Sequence, residues 1–363
     1  MASAGINAQR IRNKKLTLLI IMPFLCFSNA KGEEFMIVNN KMLCIGRFFL
    51  ILPQNTIIKS NAYFRGIKTK RIDNYNDFFE FKKNMEKFAE VKNSVKTKRT
   101  PYLDAIDARF GVDPSKERKP TSLIEFHVDD INRSISIGYN EDDLSSKFTA
   151  SLYRDINNVI FEFDLIGYGA YRYDQVNRLL INSAGNFKLI DNNHPPSQPG
   201  FCVDGGMFVD AGHPPVNERF TLVITFPDHP DVLFSIEANA IEEVDKEEPS
   251  LKHRVNDELR MMRANYAGAI HVLERGELEA AGQKGYQVAI SAPYDVVPGT
   301  QIRKFFWSAD GVPNDVTRPF MEVDLTIQPT DDGRSTIHSD AEAKALWEQL
   351  IGSLRIRPGA VQR

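Results

Sequence analysis

The sequence is poor in cysteine and tryptophan, with three and two among 363 residues, and it lacks any long apolar run. So few cysteines exclude the disulfide scaffold of a small secreted module. The apolar run from Leu16 to Phe27 is shorter than the roughly 20 residues that cross a bilayer. Catalytic signatures are missing as well: there is no G-x-S-x-G elbow, G-x-x-x-x-G-K-[ST] phosphate loop, H-E-x-x-H zinc helix or G-x-G-x-x-G turn. The seven histidines, His127, His194, His213, His229, His253, His271 and His338, include no pair at helical i, i+4 spacing. A metal or proton-transfer site would therefore need distant segments, and neither a catalytic residue, a metal nor a cofactor is expected. A net charge of −3 excludes a generally basic nucleic-acid binder. With 42% hydrophobic and 26% charged residues, the chain is long enough for a sizeable core and for two domains.

The N-terminus reads as a targeting segment. Arg10, Arg12, Lys14 and Lys15, with no acidic residue before Glu33, precede the apolar run, and Ser28, Asn29 and Ala30 offer small residues for cleavage. This is the pattern of a secretory signal peptide over residues 1–30, and it implies export of the remainder. Cys26 follows Leu25 rather than the small residue of a lipid-attachment site, so a lipid anchor is the lesser reading. Residues 31–190 hold 25 Lys and Arg against 21 Asp and Glu, whereas residues 191–363 hold 16 against 27. The two halves differ in sign, which fits two independently solvated surfaces or a partner with a complementary field.

The best linker is Asp191–Gly200, DNNHPPSQPG, whose three prolines sustain neither a helix nor a central strand. It separates an expected N-terminal domain, 31–193, from a C-terminal one, 194–359. Each half opens on a cysteine in a strand-like segment: CIGRFFLILP from Cys44 to Pro53, and CVDGGMFVD from Cys202 to Asp210. Each closes alike, with FEFDL (Phe161–Leu165) or MEVDL (Met321–Leu325), then a helical pattern, then a short strand. The matched pentapeptides raise an internal duplication. Strands are also expected at Phe220–Phe226 and Val232–Ala238 around a turn at Pro227–Pro230, and at Tyr286–Ile290 and Arg303–Trp307. A helix capped by Ser250 carries Leu251, Val255, Leu259, Met262 and Tyr266 at three- and four-residue spacing; Phe78, Phe81, Met85 and Phe88 mark another. The fold class is α+β: two similar domains, each a mainly antiparallel sheet packed with helices.

Three groups of residues could carry more than structure. Asp228, His229 and Asp231 could pair a base with its orienter, but between two prolines they read as an exposed turn. The acidic run Glu242, Glu243, Asp245, Glu247 and Glu248 could receive a basic partner, or it is a solvated loop before a helix N-terminus. Among aromatics, Phe305, Phe306 and Trp307 lie on alternate faces of a strand. Tyr168, Tyr171 and Tyr173 sit in a glycine-containing stretch, where loop character favours contact. Tyr168, Tyr171, Tyr173, Glu242, Glu243 and Asp245 are the candidate partner contacts.

Several of these segments resemble a known family. CIGRFFLILP, GFCVDGGMF, the run from Glu218 through FTLVITFPDHPDVLFSIEAN, SLKHRVNDELRMM and ALWEQLIGSLRIRPG are similar to the immunity proteins of type VI secretion lipase effectors, fourth group. The similarity is concentrated in Gly200–Pro358; Lys68–Lys147 contributes nothing to it. The resemblance implies a two-domain α+β protein of the periplasm that binds a cognate phospholipase effector and neutralises it, using complementary surface and no reacting groups. An exported enzyme with an unrecognised site and an envelope-associated structural module are the rival readings. Once residues 1–30 are removed, Cys44 and Cys202 are the remaining cysteines. In an oxidising compartment they are expected to be bonded, the alternative being two buried thiols.

Overall fold

Alternation builds most of the strands. In RFTLVITF, Phe220, Leu222, Ile224 and Phe226 are buried while Arg219, Thr221 and Val223 are exposed, the period-2 pattern of a strand with one wet face. The computed structural model describes residues 40–361 except 76, 99–100, 102–104, 106–107, 110, 112–120, 142–146, 170–171, 192–193, 195, 211–216, 244–249, 266–268 and 295–298. The expected signal segment, 1–30, lies outside these, as do Tyr171, Asp245 and Tyr266.

The first half runs β1 (Asn40–Ile45), β2 (Phe48–Pro53), β3 (Ile57–Phe64), β4 (Ile67–Ile72), α1 (Phe78–Ser94), β5 (Leu123–Asp129), β6 (Ser134–Asn140), β7 (Lys147–Ile156), β8 (Val159–Tyr168), α2 (Tyr173–Gly185) and β9 (Phe187–Leu189). The second runs β10 (Gly200–Val203), β11 (Gly206–Val209), β12 (Arg219–Phe226), β13 (His229–Asn239), α3 (Leu251–Asn265), β14 (His271–Ala280), β15 (Gln283–Pro293), β16 (Gln301–Ala309), β17 (Phe320–Ile327), α4 (Asp340–Ser353) and β18 (Arg355–Ile356). Among the described residues the order is the same in both halves: four strands, helix, four strands, helix, strand. FEFDL lies in β8 and MEVDL in β17, at corresponding places.

The mainly antiparallel α+β architecture is the one the sequence led us to expect. Twelve strands form one sheet in the order β14-β15-β16-β17-β13-β12-β3-β4-β8-β7-β6-β5, and every pairing is antiparallel. β3 and β12 join the half-sheets, pairing from Tyr63 with Arg219 to Ile57 with Thr225. The proline-rich linker connects β9 to β10, and both belong to the same small sheet, β10-β11-β9. Its counterpart is β1-β2-β18. Each opening hairpin therefore takes its third strand from the end of the other half.

The two cysteine segments differ from expectation in being hairpins rather than single strands. Gly46 and Arg47 turn between β1 and β2, and Gly46 adopts a φ of 56°. A side chain there would be strained, and its Cβ would lie 2.7 Å from the Phe220 ring. Asp204 and Gly205 make the corresponding turn between β10 and β11.

Inward-facing side chains of the large sheet, both hairpins, α2 and α4 share one core, including Phe48, Phe64, Phe163, Phe208, Phe220, Phe305 and Trp347. On the other face α1, capped by Asp77, which accepts from the Glu80 N–H at 2.8 Å, packs Phe78, Phe81 and Met85 on Ile135, Ile137 and Ile160. There α3 sets Val255 and Leu259 on Val288 and Ile290.

The halves meet around a buried cation. Arg47, 2% exposed, donates to Asp210 at 2.6 and 2.9 Å, to Glu218 at 2.9 and 2.5 Å, and to the Ala360 carbonyl at 2.7 Å. Burial opposes its charge, but Glu218 and Asp210 outweigh burial and raise its pKa. Beside it Cys44 and Cys202 form a disulfide with Cα atoms 5.6 Å apart, and Gly46 exchanges two 2.8 Å backbone hydrogen bonds with Cys202. Closing 158 residues of chain in this way stabilises by about 5 kcal/mol on the chain-entropy account. Replacing Arg47 by Met leaves Asp210 and Glu218 without the cation that hydrogen-bonds them. We expect Arg47→Met to cost about 3–5 kcal/mol in denaturant unfolding at pH 7; a loss under 1 kcal/mol would contradict this.

Candidate interaction surface

The helices on the outer face of the large sheet sit toward its two ends, α1 against β5 and β6, α3 against β15. Between them, among the described residues, no helix covers the outward side chains of β13, β12 and β3, whereas α1 packs on Ile72 of β4 and Ile160 of β8 and α3 overhangs Glu322 and Asp324 of β17. Register sets these in rows across the strands. One row reads Ile57, Thr225, Leu233, Thr326, and the next reads Lys59, Val223, Ser235, Asp324. A third reads Asn61, Thr221, Glu237, Glu322. Ile57 and Leu233, 54% and 42% exposed, are large apolar side chains on the wet side of their strands. With Val223 they form an apolar centre. Ile166 and Tyr168 on β8 are also exposed and outward, but the register places them beyond the Asp164–Lys68–Tyr63 row, at the other end of the strands from Ile57.

Lys59, Lys68 and Lys70 lie on the first-half strands beside Glu162 and Asp164 of β8, and Glu237, Glu322 and Asp324 lie on the second-half strands. Arg219 stacks over the Tyr63 ring at 4.1 Å, near the seam. Strand spacing makes the helix-free part, β3, β12 and β13, about 10 Å across, and the uncovered ends of the flanking strands widen it. Such an array can bind by shape and charge. Four Asp, Glu, His or Cys side chains converging on an ion are not seen, and among the described residues no group of three could hold a metal.

Two half-buried carboxylates border the face at corresponding positions. Asp164 in FEFDL and Asp324 in MEVDL both titrate near 6. Burial is the main cause in each; Glu162 adds to it for Asp164 and Glu322 for Asp324, with Lys304 opposing at the latter. A carboxyl whose pKa rises from 3.8 on folding favours the folded state at low pH, and that contribution is lost as pH climbs from about 4 to 6. We therefore expect Asp164→Asn to raise unfolding free energy at pH 7.5, by about 1–2 kcal/mol after allowing for partial exposure, and to change it little at pH 4. Equal effects at both pH values would contradict the assignment.

The candidate contacts named from the sequence scatter. Tyr168 is 67% exposed and lies on the open face. Tyr173 does not reach the surface: it begins α2, is 2% exposed, and packs edge-on against Phe148 in the space left by Gly138, where a Cβ would fall 2.1 Å from its ring. Its place in a helix rather than a loop is the reason the contact reading fails. Glu242 and Glu243 are exposed just beyond β13, where the Asn314 amide donates to the Glu242 carbonyl at 3.3 Å. Asp245 and Tyr171 are outside the described residues.

The aromatic trio in β16 offers no exposed anchor. Phe305 stacks on Trp347 at 5.6 Å, the Trp307 indole donates to the Leu278 carbonyl at 3.0 Å, and Phe306 is half-buried under α3. Asp231 is also not an exposed turn residue. The turn is confined to Pro227 and Asp228, and β13 begins at His229. Asp231 is 6% exposed and accepts from Ser335 Oγ and from the Thr336 N–H and hydroxyl. Burial pushes its carboxyl up, but the Thr336 and Ser335 hydrogen bonds outweigh that and hold it below its ordinary value. It ties a loop to the sheet. What sequence reading missed was the open face itself, and its signal was present: Val223 and Leu233 occupy positions where alternation calls for polar side chains.

Comparison with known proteins follows the same lines. Residues 194–359 match the family described as Tle cognate immunity protein 4 C-terminal domain. No curated protein matches the chain by sequence. Among solved structures, the apo immunity protein TplEi of the type VI secretion system of Pseudomonas aeruginosa superposes with a TM-score of 0.70 at 20% identity, covering 88% of this chain and 98% of its own. The Tle4–Tli4 complex contains a chain with a TM-score of 0.69 at 19% identity and the same coverage. Residues 194–359 belong to the Tle cognate immunity protein 4 C-terminal domain family, and the described chain has the fold of these type VI immunity proteins.

Proposed function

We propose that this chain is a periplasmic immunity protein that binds a cognate type VI phospholipase effector through the open sheet face and holds it inactive. The observation that carries the reading is the family match over residues 194–359. It is supported by the similarity of the fold to the Tli4 chain of a solved complex with Tle4. The open face supports the reading, since a sheet surface with an exposed apolar centre suits a protein partner better than a small substrate. Inhibition by occupancy requires no turnover. The N-terminal sequence pattern supports export, and no helix among the described residues is long and apolar enough to cross a membrane.

The division into domains 31–193 and 194–359 is part of the same proposal. The repeated element order supports a duplicated plan, and the exchange of β9 and β18 makes each half complete the other. Protection has to be tight, because a nanomolar dissociation constant corresponds to about −12 kcal/mol. The test is co-expression of the effector, directed to the periplasm, with this protein. The parent should rescue growth. Leu233→Arg, which puts a charge at the apolar centre without touching the core, should fold normally, weaken effector binding at least about 100-fold and lose protection. Full protection by a folded Leu233→Arg variant would remove this face from the mechanism, and killing undiminished by the parent would reject the function.

A further inference from the structure

The open face straddles the joint where β3 pairs with β12, and the inner side of that joint carries a crossed brace. Phe64 at the end of β3 packs on Phe201 and Phe208 of the second-half hairpin, with ring centroids 5.7 and 4.6 Å apart. Phe220 on β12 packs on Phe48 of the first-half hairpin, with centroids 6.2 Å apart. All five rings are at most 4% exposed. Each joining strand is thus backed by the opening hairpin of the other half, and the joint holds its shape only while both hairpins stay docked.

The disulfide between Cys44 and Cys202 is the covalent link between these two hairpins. Both residues are buried, and they pack with Met207, so in the closed form a thiolate from solvent has no approach to the sulfurs. Reduced, the same site holds two thiols, and the hairpins keep only their hydrogen bonds, the Arg47 contacts and the aromatic packing. The bond matters most to states in which the hairpins have parted, because it removes the chain freedom those states gain. Which form the chain takes is set by its compartment, since a reducing cytosol keeps thiols reduced and an oxidising envelope bonds them.

We propose that the Cys44–Cys202 pair is a redox switch for effector binding, a regulation that rests on the function proposed above. As a dithiol the chain keeps its two half-sheets but lets the hairpins lift and the β3–β12 joint open. As a disulfide it fixes the joint, and with it the apolar centre, which draws Ile57 from the first half and Val223 and Leu233 from the second. Closure passes two protons and two electrons from the thiols to a disulfide-bearing oxidant, which leaves as two thiols. The chain before export therefore meets effector weakly and the exported, oxidised chain meets it tightly. Once the sulfurs are sealed, mild reductant does not reverse the step.

The test compares the full mature chain oxidised, unfolded and refolded in dithiothreitol, and reoxidised from that state with oxidised glutathione. Alkylation with mass spectrometry confirms the state of the cysteines in each form. Hydrogen exchange and affinity for the purified effector are then measured. In the reduced form the amides of β3 and β12 should exchange at least about tenfold faster, while β6, β7, β15 and β16 keep their rates. Effector affinity should fall at least about 100-fold and return on reoxidation. The double variant Cys44→Ala, Cys202→Ala should match the reduced form in both readouts with no dithiothreitol present, which separates the bond from the reagent. Equal affinity of oxidised and reduced forms, or equal exchange at the joint, overturns the switch. Global unfolding of the reduced form overturns it too, because the bond is then a general staple and not a control on one joint. If the oxidised chain does not bind the effector, the immunity reading fails, and the exchange comparison still decides whether the bond governs the joint.

Discussion

Arg47 carries a charge that neither half of the chain could bury alone. The residue comes from the turn of the first hairpin, its carboxylates Asp210 and Glu218 come from the second half, and Ala360 closes it from the C-terminal tail. Removing two acids and a guanidinium from water is costly, and it is offset only when every donor has an acceptor. That condition holds only if the hairpins, the tail and the joining strands β3 and β12 all occupy their places together. Arg357 is held differently, its guanidinium donating to the backbone carbonyls of Pro196, Gln198 and Gly200. The linker is thereby fastened beneath the tail, and a division plain in the sequence becomes a seam within one sheet.

A continuous sheet has consequences for binding. Two separate domains would each present an edge strand at β3 and β12, with unpaired backbone open to nonspecific association. Pairing those edges turns them into the middle of a broad face, where first-half lysines lie across a few strands from second-half carboxylates. The halves keep one plan and differ in its filling. Tyr153 and Phe81 close the first half under α1, whereas Ser308 leaves room under α3.

Local pattern was legible wherever one face of an element is wet. FTLVITF, MEVDL and the Phe78–Phe88 spacing each state their element, because period 2 or 3.6 follows from which side is buried. CIGRFFLILP misled because its two-residue turn at Gly46 and Arg47 breaks no alternation, and an arginine in a turn ordinarily points to water. Tyr173 and Asp231 misled for a related reason. Each is polar and near glycine or proline, yet its burial is decided by segments far away in sequence, Phe148 and Gly138 for one and Ser335 and Thr336 for the other. The exchange of β9 and β18 leaves no local trace, since strands of three and two residues carry too little pattern to name their partners. The open face was the most readable of the missed features, and alternation in β12 and β13 could have found it.

The account stands on the open face being the surface that the effector covers. Oxidative footprinting of the mature protein, alone and saturated with effector, measures this residue by residue. Protection of Ile57, Tyr63, Leu233 and Tyr168, with exposed Phe79 and Met261 on the flanking helices changing much less, is the predicted result. Protection concentrated on the β14 edge or on the hairpin side of the molecule, with Ile57 and Leu233 as reactive as in the free protein, would contradict it.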